Sequence, residues 1–145
     1  MFDEDKNNLI KLAYSEMGYF ETGEELRLSS EFRSLVKTYG SQLIHSIELL
    51  INSNEINTTV AGELLRQIGE IEDPQLLESQ LDILEKFTFH QAPRVRDGAI
   101  MGLSYINSDK VILILETAES LETDQFLQRV ITKILKRIQN KKDLV

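Results

Sequence analysis

An all-α fold of the solenoid type is predicted by three observations: apolar positions repeat every 35 residues, their spacing inside each copy is helical, and no stretch alternates convincingly as a strand. Val60, Leu64, Ile68 and Ile71 align with Val95, Ala99, Leu103 and Ile106, and Val130, Ile134 and Ile138 follow at the same offset. A unit of this kind buries its apolar face only by stacking on the next copy. Solenoids mostly work by presenting a surface, so the period already tilts the expectation toward binding.

Each element has its own local warrant. The spacing predicts helices over 4–17, 30–39, 42–52, 58–71, 74–88, 94–106, 109–121 and 124–140. Pro74 and Pro93 are both suited to the first helical position, where a missing N–H leaves nothing unpaired, and Asp73 precedes the first of them as a cap. Thr22 with Glu25, Asn57, Ser108-Asp109 and Thr123-Asp124 are the other starts, while Gly40 and Asn54 are stops. The run VILIL at 111–115 has strand-like composition, but its place in the repeat assigns it to a helix. The pairs 58–71/74–88 and 94–106/109–121 then read as antiparallel helix hairpins.

This divides one domain of 145 residues into a divergent N-terminal repeat and cap (1–55), repeats at 56–91 and 92–122, and a C-terminal capping helix in 123–145. The copies resemble the HEAT repeats in their shorter bacterial form. Pro93, Val95, Arg96, Ala99, Leu103 and Ile106 match the first half of that pattern, and Ile68, Gly69, Ile71, Asp73 and Pro74 match its turn. Thr59-Val60-Ala61 lacks the proline and arginine, and Asn107-Ser108-Asp109-Lys110 replaces the aspartate-proline turn. The resemblance implies a short right-handed α-solenoid whose second helices line the concave side. It also implies that Arg96 pairs with an acidic residue of a neighbouring copy, with Asp73 a candidate.

Chemistry is harder to find. There is no cysteine, and His45 and His90 share no metal-ligand spacing, so no catalytic residue, metal site or cofactor is expected. Gly98 and Gly102, four apart in a helix, read as a close-packing surface. The acidic, polar start is unlike a signal peptide, and no apolar run approaches the ~20 residues that span a bilayer, so a cytoplasmic chain without membrane contact is expected.

The net charge of −8 disfavours nucleic acid as a partner. Its distribution is uneven: ten basic and 23 acidic residues up to Gln125 give −13, and the last twenty residues carry +5. On 74–88 the apolar set Leu77, Leu81, Leu84 and Phe87 is expected to face the core, leaving Glu78, Asp82 and Glu85 as a stripe. Glu116, Glu119 and Glu48 fall outside the apolar stripes of their own helices. Stacked, these six residues (Glu48, Glu78, Asp82, Glu85, Glu116, Glu119) form an acidic concave face, read here as the docking surface for a basic protein partner. The most specific form of that expectation is a bacterial immunity protein that neutralises a toxin domain, an inference from size, charge and repeat type. The alternatives are nucleic-acid binding through the basic last helix and an accessory or scaffold role in an enzyme complex. Oligomeric state is left open.

Overall fold

The computed structural model describes the backbone of residues 3–16 and 27–143 and the side chains of residues 3–11 and 29–142. Among the described residues the chain is all-α, with eight α-helices, one short 3-10 turn and no strand. The helices are α1 (Asp3–Glu16), α2 (Arg27–Tyr39), α3 (Ser41–Asn52), α4 (Thr58–Gly69), α5 (Leu77–Thr88), α6 (Pro93–Leu103), α7 (Asp109–Leu121) and α8 (Gln125–Asp143).

The starts follow from capping chemistry. Side chains of Asn57, Asp73, Ser108 and Asp124 accept from the backbone N–H of Val60 (2.8 Å), Gln75 (3.0 Å), Lys110 (3.3 Å) and Leu127 (3.1 Å). Gly40 and Asn54, the expected helix stops, have positive φ of 54° and 59°, and the ψ of −125° at Gly40 is open mainly to glycine. The capping box expected at Thr22–Glu25 lies outside the described residues.

Several boundaries differ from the sequence reading by one to three residues, and two of them change the fate of side chains. Residues Pro74–Leu76 form a 3-10 turn before α5, closed by Leu76 N–H to Asp73 O at 2.9 Å. That turn shifts the helix phase, so Leu76 is buried while Leu77, expected in the core, is 37% exposed. The helix expected to reach residue 106 stops at Leu103, and Tyr105 and Ile106 continue it as turns bonded to Gly102 and Leu103. The VILIL run is helical, with Val111, Ile114, Leu115 and Ala118 buried at helical spacing.

One buried apolar cluster extends from Leu9 to Ile134. Within it α3 packs on α4 and α5, α5 on α6 and α7, and α7 on α8. The closest seam is α4 against α6. A Cβ on Gly62 would lie 2.6 Å from Arg94 O, and one on Gly102 would lie 2.8 Å from Leu65 O. A Cβ on Gly98 would strike the backbone of Gly62, and one on Gly69 the backbone of Gly102. Arg94 Nη1 donates to Thr59 Oγ1 at 2.9 Å across the same seam, 35 residues away in sequence. The contacts run in the same order along both helices, so α4 and α6 lie side by side and parallel.

Gln80 secures the end of α4. It is 1% exposed, and its Nε2 donates to Ile68 O (2.8 Å), which also accepts from Ile71 N–H (3.3 Å), and to Ile71 O (3.0 Å) just past the helix end. Gln80→Leu takes the side-chain donor from Ile71 O, while Ile68 O keeps the backbone N–H of Ile71, so urea unfolding should show a loss of about 1 kcal/mol.

A candidate protein-docking face

α5 presents its acidic stripe because the positions on its opposite side are committed inward. Gln80, Leu81, Ile83, Leu84 and Phe87 are buried, whereas Glu78, Asp82 and Glu85 are exposed. Beyond them Phe89, which follows the last helical residue, is 43% exposed. On α7 the buried set leaves Leu113, which is 66% exposed, and Glu116 in water.

A groove of about 330 Å³ separates α5 from α7. Asp82, Glu85 and Phe89 form one wall, and Lys110, Leu113 and Thr117 form the other. Two large apolar side chains are thus exposed beside two carboxylates. The close approach of α4 to α6 and the groove between α5 and α7 are formed by different helices.

The six acidic residues do not form one unbroken ribbon. Asp82 and Glu85 share the groove, with Glu78 one turn earlier on the same face of α5. Glu48 on α3 is met by Lys86 Nζ of α5 at 3.5 Å. Glu119 turns toward α8, where its Oε2 accepts from Thr132 Oγ1 at 2.6 Å. Glu116 is exposed on α7 outside the groove walls. Lys86 and Lys110 therefore interleave with the acids.

Leu113 and Phe89 were missed as surface residues by the sequence reading. The signal for Leu113 was present: Val111, Ile114, Leu115 and Ala118 complete a core stripe without it. Phe89 carried no such signal, because its exposure depends on where α5 ends.

A second constellation joins successive turns. Arg96 Nε and Nη2 donate to Glu122 Oε1 and Oε2 at 2.9 and 3.0 Å, and Nη1 donates to His90 O (3.0 Å) and Gln91 O (2.9 Å). The Glu122 side chain is 3% exposed and also accepts from Asp124 N–H at 3.0 Å. Arg96 therefore pairs forward with Glu122, and Asp73 is occupied as a cap. The expected Arg96–Asp73 pair is corrected on that ground. His90 Nδ1 accepts from Ala92 N–H at 2.9 Å, and burial together with Arg96 pushes its pKa below the ordinary imidazole value. Burial, reinforced by nearby Asp124, raises the Asp97 carboxyl above the usual range. Every member of the Arg96 network is satisfied within the chain, which gives it the character of a structural latch. His45 lies on the exposed side of α3.

A recess of about 1020 Å³ lies between α2 and the turn before α5. Its walls mix Arg33 and Lys37 with Glu70, Glu72 and Asp73, so a charged ligand there meets both signs. Among the described residues no group of three or more His, Asp or Glu could hold a metal ion, and no helix is long and apolar enough to cross a membrane.

No family model, curated protein or solved structure matches this chain.

On α8, Leu127, Ile131 and Ile134 are buried, and Arg137 and Lys142 are engaged with Ser104 O (3.4 Å) and Asp109 Oδ1 (3.0 Å). Arg129, Lys133, Lys136 and Lys141 remain as an exposed basic surface.

Proposed function

We propose that this chain is a HEAT-like solenoid acting as a non-enzymatic protein-binding module, with its partner seated on the face formed by α5 and α7. The observation that carries the proposal is the groove in which Leu113 and Phe89 stand exposed beside Asp82 and Glu85. Apolar anchors give a docking site its affinity, and flanking charge gives it orientation and on-rate. The solenoid part is supported by the α4–α6 seam, where neighbours in space sit near the offset of the sequence repeat.

In its most specific form the module is an immunity protein whose acidic face covers the basic surface of a toxin domain. Support for that step is the −13 borne by residues 1–125 and the resemblance in size and repeat type. The second reading, nucleic-acid binding through α8, is favoured by the four exposed basic residues there and opposed by the acidic remainder.

The test is parallel capture from the native cell with the native chain and with Glu78→Lys/Asp82→Lys/Glu85→Lys. One basic protein held by the native chain and lost from the triple variant is the expected result. If that protein is toxic when expressed alone and harmless with this chain, the immunity form stands. Equal capture by both chains rejects the face, and capture of nucleic acid alone transfers the function to α8.

A further inference from the structure

We infer that a second copy of this chain is an occupant of the α5–α7 groove, laying the exposed side of its α8 along α5. Two surfaces of opposite sign carry the inference. On α5, Phe89, Glu85, Asp82 and Glu78 are all exposed and follow one another, read backwards, at intervals of four, three and four residues. On α8, Phe126 is 62% exposed, and the exposed Arg129, Lys133 and Lys136 follow at intervals of three, four and three. At about 1.5 Å per residue, both stripes run about 15–16 Å from an aromatic ring to a last charge.

The two patterns match when the helices lie antiparallel. Phe126 of one copy then meets Leu113 and Phe89 of the other, Arg129 meets Glu85, Lys133 meets Asp82, and Lys136 meets Glu78. A chain's own α8 is not the occupant, because Leu127, Ile131 and Ile134 hold it on the body of its own copy. Lys110 on the α7 wall of the groove and Lys86 on α5 oppose the contact, since both repel the incoming cations. The net charge of −8 on each copy opposes association as well, so the contact is weak and depends on local complementarity.

One copy offers α8 and the other offers α5, so two copies either exchange these helices reciprocally in a closed pair or leave one surface of each kind open to further copies. A partner that takes the same face competes with this self-contact and dissolves it. The inference uses the face described above but not its proposed partner. Failure to self-associate leaves partner capture intact, and failed capture leaves self-association intact.

Sedimentation velocity over a concentration series tests it with the full chain. Association is expected at about 0.01 M salt and should weaken about tenfold or more by about 0.15 M, as the screening length falls from about 30 to about 8 Å. Arg129→Glu/Lys133→Glu/Lys136→Glu should sediment as a monomer, and so should Glu78→Lys/Asp82→Lys/Glu85→Lys, all six positions being exposed. Mixing these two variants should restore a complex, because each supplies the surface the other has reversed. Lys110→Glu should strengthen self-association of the otherwise native chain. A native chain that stays monomeric at low salt overturns the inference. So does unchanged association in either triple variant, an equimolar mix of folded variants that stays monomeric, or a Lys110→Glu chain that associates no more tightly.

Discussion

Gly98→Ala should destabilise the chain by about 3 kcal/mol or more, the reverse of the roughly 1 kcal/mol gain that helix propensity alone assigns to the change. The reason is the α4–α6 seam: the new Cβ meets backbone atoms of Gly62, which cannot rotate away as a side-chain tip would. Relief requires α4 and α6 to separate, and that opens the buried layer of Val60, Leu64, Ala99 and Leu103. Gly40→Ala is the control. A Cβ there has open space, but φ 54° with ψ −125° is a conformation that L side chains rarely adopt, so its cost of about 1–3 kcal/mol comes from the backbone alone. Urea unfolding of both variants, read by circular dichroism, gives the comparison. A Gly98→Ala chain as stable as the native one would mean that the two helices are not held backbone to backbone.

Arg96→Ala should cost about 3–5 kcal/mol, because it leaves Glu122 as an uncompensated charge in an almost fully buried position. It also releases His90 O and Gln91 O, which Arg96 ties to the turn after α7. Replacing both partners by apolar side chains of similar size, Arg96→Met with Glu122→Leu, should recover most of the loss, since no buried charge then remains. Asp73→Ala removes only a cap and should cost about 1 kcal/mol. A double-mutant cycle measures the coupling between Arg96 and Glu122. Coupling near zero there, or a comparable loss from Asp73→Ala, would contradict the assignment of the pair.

The helices were legible in the sequence because their signals are local. Asn57, Asp73 and Ser108 are side chains that bond to backbone two or three residues on, and Gly40 and Asn54 take a backbone geometry that few residues tolerate. Periodicity also located the acidic stripe of α5, since residues four and three apart share a face whatever surrounds the helix. The partner of Arg96 was not legible. Glu122 is 26 residues away, and only the packing of α7 decides between it and Asp73.

The candidate face divides along the same line. Glu78, Asp82 and Glu85 are where the pattern placed them, but the fates of Glu48 and Glu119 depend on Lys86 and Thr132, side chains on other helices. Leu77 was misplaced for a local reason, the 3-10 turn that Pro74 opens. Phe89 and Leu113 acquire their significance only when α5 and α7 stand apart, which no single-helix pattern records.

Amide hydrogen exchange with and without the captured partner tests the docking face most directly. Slowed exchange concentrated in residues 77–89 and 109–121, with α4 and α6 unchanged, is the predicted result. Protection confined to α8, or centred on α4 and α6, would contradict the docking face.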